Sequence, residues 1–148
     1  MLKQNSKGFT LIELLIVVAI IGIIAAIAIP NLLNAIDRGK QKRTMADMRS
    51  LGTAVESYAV DNNVYPVVAT AAALKTVVEA GAYIKNMPTA DGWSNTFVVD
   101  SVSTQYTLYS MGKDGSGSTC TAGTTTNFND EICFINGQFL RYPAGSQQ

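Results

Sequence analysis

The chain has 148 residues, enough for one domain with a modest core. Eleven basic residues balance eleven acidic ones, so the basic excess of a nucleic-acid binder is missing, and there is no His to serve as general base or transition-metal ligand. The two cysteines, Cys120 and Cys133, are too few for a four-cysteine zinc site and suit a single disulfide in an oxidising compartment.

Met1 to Lys7 is short and polar, with Lys3 and Lys7 as its charges. Phe9 to Ile29 then runs for twenty-one residues with one charge, Glu13. A helix of that length spans roughly 30 Å, the thickness of a bilayer's hydrocarbon core. The basic end should stay cytoplasmic, leaving the rest of the chain outside. A plain signal anchor accounts for the length but not for Glu13. A removable secretory signal has a small-x-small site at Ala26-Ile27-Ala28. The apolar run is longer than the usual signal core, however, and a carboxylate within it costs up to about 2.5–3.5 kcal/mol.

Lys7-Gly8-Phe9-Thr10-Leu11-Ile12-Glu13-Leu14 resembles the type IV prepilin signature, and Pro30 after Ala25 to Ile29 also matches that family. The resemblance implies that a membrane-embedded prepilin peptidase cuts between Gly8 and Phe9 and that the new Phe9 amine is methylated. Gly8 leaves the backbone open to the protease. Glu13 becomes the fifth residue of the mature chain. Its charge needs a partner in hydrocarbon, and the Phe9 amine is one, within a subunit or between neighbours, where the pair would set the axial register. The alternative is that Glu13 snorkels to the cytoplasmic interface. The resemblance further implies a bacterial inner-membrane protein before assembly, with the N-terminus cytoplasmic and the head periplasmic. A helical homo-oligomer, built by pilus or secretion machinery, would follow.

Past Pro30 the pattern stays helical. Leu32, Leu33, Ile36, Met45, Met48, Leu51, Val55, Tyr58 and Ala59 follow three- and four-residue steps, as in a helix laid on a globular head. A kink or local melting is expected at Pro30, with Gly22 and Gly39 adding flexibility. Asp61-Asn62-Asn63 should stop the helix before the extended Tyr65-Pro66. Arg38, Lys40, Lys42 and Arg43 form a basic cluster. It reads as a solvated face touching headgroups or a neighbour's acids. DNA binding is the sharper reading, but Asp37 and Asp47 dilute the charge, no aromatic platform accompanies it, and no specific nucleic acid is predicted.

In the head, Thr70 should cap a helix over Ala71 to Ala80, with Gly81 as its stop. Thr96 to Val99 and Gln105 to Ser110 read as strands. Gly112 to Asn129 reads as a loop of Gly, Ser and Thr. Glu131 to Ile135 and Gln138 to Tyr142 flank Asn136-Gly137, a strong hairpin signal. Pro143 to Gln148 should fray.

Asp91-Gly92-Trp93-Ser94-Asn95, Tyr106 to Gly112 and Lys113-Asp114-Gly115 resemble the head of the major pseudopilin of type II secretion. That family binds Ca²⁺ in its late loop, so the resemblance implies Asp114 and Asp130 as oxygen ligands. The other reading makes both ordinary turn residues. Ser94 stands where the family usually has Gly, and Cys120 and Cys133 could staple the loop as the metal does elsewhere.

The fold class is therefore α+β, a long N-terminal helix packed on a small antiparallel sheet. Residues 1–8 form a leader, 9–29 the transmembrane and polymerisation helix, and 30–148 the amphipathic helix with the head. The resemblance implies a structural subunit of a type IV pilus or a pseudopilus, and no enzyme is expected. Apart from the Ca²⁺ that the resemblance implies, no cofactor is expected. The rival is a soluble binding or enzymatic domain on an N-terminal anchor. It has little chemistry to work with: no His, no activated nucleophile and no phosphate loop.

Overall fold

The computed structural model describes residues 8–117 and 119–146, so most of the predicted leader lies outside the described residues. Helix α1 covers Leu11–Asn62, 52 residues. It runs unbroken through Pro30, so the melting expected there does not occur. Proline removes a single N–H from the ladder, and long helical runs on both sides hold the register. Asn63, at φ 57°, takes the left-handed conformation that ends the helix where Asp61-Asn62-Asn63 predicted.

The chain divides into two compact units, Met1–Ile36 and Asp37–Gln148. In the first, Leu32, Leu33 and Ile36 are all exposed, although their spacing continues the core stripe predicted for them. The stripe enters a protein core only from Met45 onward. In the second unit Met48, Leu51 and Val55 share one core with Leu74, Val78, Phe97, Tyr106, Leu108, Ile132 and Phe134.

Helix α2 is Ala71–Ala80, and its N-cap is as expected: the Ala73 N–H donates to Thr70 Oγ1 at 3.2 Å. The C-terminal stop differs. Gly81 has an ordinary φ of −79°, and Ala82, at φ 57°, is the left-handed residue. Gly81 leaves room instead, since a Cβ there would lie 2.2 Å from the Tyr83 ring and the ring would have to shift.

The strands are β1 (Val98–Val102), β2 (Gln105–Ser110), β3 (Gly123–Thr125), β4 (Ile132–Ile135) and β5 (Gln138–Pro143). They form one sheet in the order β1-β2-β4-β5-β3. β1 is shifted from its predicted span because it continues through Asp100 and Ser101 to a two-residue turn before β2. β4 and β5 form the predicted hairpin, with Asn136 at φ 47° and Gly137 at φ 84°, the mirror-image turn that suits twisted strands. β3 lies inside the segment predicted as loop and pairs parallel with β5, so the sheet is antiparallel except at that edge. β5 reaches Pro143, and the Ala144 N–H donates to Thr125 O at 2.7 Å, so the fraying expected from Pro143 does not begin there.

Candidate functional site

The N-terminal site begins at a helix cap. Thr10 N donates to Glu13 Oε2 at 2.9 Å and Thr10 Oγ1 donates to the same oxygen at 2.7 Å. In return the Glu13 N–H donates to Thr10 Oγ1 at 3.3 Å. This is a reciprocal capping box, and the carboxylate sits at the positive end of the helix dipole. Glu13 thus has a partner in Thr10, which the reading that paired its charge with the Phe9 amine did not include. The signal was present as Thr-x-x-Glu before an apolar run. Just upstream, Gly8 is exposed, and a Cβ there would meet nothing within 4 Å. Phe9 is also exposed.

From Phe9 to Ile36 every residue is exposed except the half-buried Ala25. Helix α1 is long and apolar enough there to cross a membrane. Leaving a Leu or Ile side chain in water rather than burying it costs about 1.5–3 kcal/mol, so a face this large demands lipid or other protein.

The basic cluster is a solvated face: Arg38, Lys42 and Arg43 are exposed, and Arg43 pairs with Asp47 at 3.6 Å. Asp37 is different. It is buried, with Trp93 Nε1 donating to its Oδ1 at 3.0 Å and Lys113 Nζ to its Oδ2 at 2.8 Å. The Lys113 ammonium, then the Trp93 indole, hold its carboxyl below the usual range. Beside it the Gly92 N–H donates to Thr44 Oγ1 at 2.9 Å, and a Cβ on Gly92 would lie 2.6 Å from Lys40 O. Only glycine lets this turn reach the helix backbone.

Asp91 organises the same turn. Its Oδ1 accepts from Trp93 N and Asn95 N, both at 2.9 Å, and its Oδ2 accepts from Ser110 Oγ at 2.6 Å. Asn95 Nδ2 in turn donates to Gly112 O at 2.7 Å. Ser94 sits at φ 73°, which gives the physical reason for the glycine usual at that position. Neither Asp37 nor Asp91 was singled out by sequence reasoning as a site residue.

The late loop is tied at several points. Cys120 and Cys133 form the expected disulfide, with Cα atoms 5.8 Å apart. Arg141 Nη2 lies 2.8 Å from Asp130 Oδ2, and its Nη1 lies 3.0 Å from Glu131 Oε2. Asp130 Oδ2 also accepts from Thr125 Oγ1. Asp114 Oδ1 accepts from the Ser116 N–H at 3.0 Å, as a turn aspartate does. Among the described residues no group of three or more His, Cys, Asp or Glu could hold a metal. The donors implied for Ca²⁺ therefore do not fit it as they stand: Asp130 carries a guanidinium, and Asp114 is engaged with its own turn.

An apolar helix without cover, a capping box at its start and a helix-on-sheet head define a pilin-like filament subunit. The comparisons give its family. Residues 31–127 match the family described as type II secretion system protein G, and residues 3–29 match the prokaryotic N-terminal methylation motif. The chain belongs to the type II secretion system protein G family. It is 33% identical to the type II secretion system core protein G of Aeromonas hydrophila over 131 residues, covering 80% of this chain and 91% of that protein. The core protein G of Escherichia coli strain K12 is 33% identical over 126 residues, 76% of this chain and 85% of that one. The type IV major fimbrial protein FimA of Dichelobacter nodosus is 53% identical over 60 residues, 40% of this chain and 38% of that one. No solved structure matches significantly.

Proposed function

We propose that this chain is the subunit of a type II secretion pseudopilus. It is inserted in the inner membrane with its N-terminus cytoplasmic and its head periplasmic, cut by prepilin peptidase between Gly8 and Phe9, and methylated at the Phe9 amine. It then polymerises through the helix from Phe9 to Ile36. The observation that carries this reading is the apolar, uncovered face of that segment, which a membrane satisfies before assembly and neighbouring copies satisfy after it. The match over residues 31–127, most of it head, favours the pseudopilus over the type IV pilus. The FimA similarity keeps the pilus as the second reading.

The test is deletion of the gene with complementation. Loss of secreted enzymes from the medium, restored by wild type, is expected. Unchanged secretion together with loss of surface filaments would favour the pilus. If secretion and surface filaments were both unchanged, the filament reading would be overturned. Intact-mass analysis of membrane-extracted protein should show a mature start at methylated Phe9. A start at Ile29, after Ala26-Ile27-Ala28, would refute the processing.

A further inference from the structure

One guanidinium serves both acids at the end of the late loop. Arg141 contacts Asp130 Oδ2 at 2.8 Å and Glu131 Oε2 at 3.0 Å, and its Nη1 also donates to Thr121 Oγ1 at 3.0 Å. The side chains are largely withdrawn from water, at 19% exposure for Arg141, 31% for Asp130 and 14% for Glu131. In register, Arg141 stands opposite Cys133 on β4 and Gly123 on β3. Its backbone thus lies between the two strands that the end of the loop connects, and its side chain gathers Thr121, Asp130 and Glu131. A planar fork of N–H donors can satisfy two carboxylates and a hydroxyl at once.

A hard divalent cation would do the same work with oxygen ligands at about 2.3–2.6 Å. It could not do so here together with the guanidinium. Bound to Asp130 Oδ2, it would place two or more positive charges within a few ångströms of Arg141. We propose that Arg141 is the loop's built-in cation. It holds the Asp130–Glu131 end of the loop against Thr121, takes the role that the family resemblance gives to calcium, and makes the stability of the head independent of calcium.

The test uses the full-length mature chain in detergent micelles, with the Cys120–Cys133 bond intact. Thermal unfolding is followed by circular dichroism in chelator and in millimolar Ca²⁺, and binding by sensitised Tb³⁺ luminescence. Wild type should melt at the same temperature in both buffers and should give no saturable Tb³⁺ signal. Arg141→Met keeps most of the stem and removes the charge, leaving Asp130 and Glu131 uncompensated. Its midpoint should fall by several degrees in chelator, Ca²⁺ should restore part of the loss, and a Tb³⁺ signal should appear. A wild-type midpoint that rises with Ca²⁺, or a saturable wild-type Tb³⁺ signal, would overturn the proposal whether or not the variant folds. A variant loss that Ca²⁺ leaves untouched would also overturn it, because the site would then not be equivalent to a cation site.

Discussion

Replacing Glu13 with Gln separates two roles that the capping box joins. Gln is the other residue that completes such a box, so its side-chain oxygen can still accept from the Thr10 N–H. What it loses is the charge. The dipole contribution at a helix N-terminus is worth about 0.3–1 kcal/mol, which a helix of 52 residues absorbs without changing its start. In the bilayer the sign reverses: a neutral side chain avoids a penalty of up to about 2.5–3.5 kcal/mol, so insertion should be at least as efficient as in wild type. Thr10→Val is the complementary change. It keeps the charge but removes the cap, at a cost of about 1 kcal/mol to the first turn. If Glu13 acts through its charge on the Phe9 amine, Glu13→Gln should insert, be cleaved and yet build few filaments. Thr10→Val should build filaments in reduced but substantial amount. The assay is membrane abundance, N-terminal peptide mass and sheared-filament yield for the three chains. Wild-type filament yield from Glu13→Gln would refute the charge pairing and reduce Glu13 to a helix cap.

Asp37 has a folded-state pKa lowered first by Lys113 and then by Trp93, so its contribution is present above the ordinary carboxylate range and is lost as pH falls through that range toward the depressed value. Asp37→Asn should therefore cost about 1–2 kcal/mol at neutral pH, discounted for the half-exposed Lys113, and the gap should close in acid; urea unfolding at the two pH values checks it. Ser94→Gly relieves a residue at φ 73° and should stabilise the head by about 0.5–1 kcal/mol, read as a higher urea midpoint; an unchanged or lower midpoint would show that the strain is offset locally. Reducing the Cys120–Cys133 bond, with its sequence separation of 13, should cost about 3 kcal/mol in the chain-entropy model; unfolding with and without dithiothreitol measures it.

What could be read from the sequence was local. The processing signature, the apolar run, the Thr70 cap and the Asn136-Gly137 hairpin each declare themselves within a few residues, because their physics is short-range. The Thr10–Glu13 box is equally local, but the membrane cost of a carboxylate points first to a positive group, the Phe9 amine, and not to a neighbouring hydroxyl. Other features depend on residues far apart. Asp37 finds Trp93 and Lys113 across 56 and 76 positions, and nothing near Asp37 announces either. β3 is a Gly-Thr-Thr segment with no apolar alternation, and it becomes a strand only because β5 offers an open edge. The stripe through Leu32, Leu33 and Ile36 matched the helical period of the core below it. Period alone cannot say whether a face meets a sheet, lipid or another copy.

The change at Asp37 from an uncovered helix to one with buried residues has a thermodynamic consequence. Before Asp37 the helix is uncovered from Phe9 onward, while the head's core is complete beyond it. Lipid tails are about as apolar as leucine, so exchanging them for neighbouring helices carries little hydrophobic gain. If residues 9–36 make that exchange, the step is close to balanced, and a small directional term, such as the Glu13 charge if it pairs as proposed, would decide its sign. A polymer built on so flat a free-energy difference would need only modest external work to be extended or withdrawn.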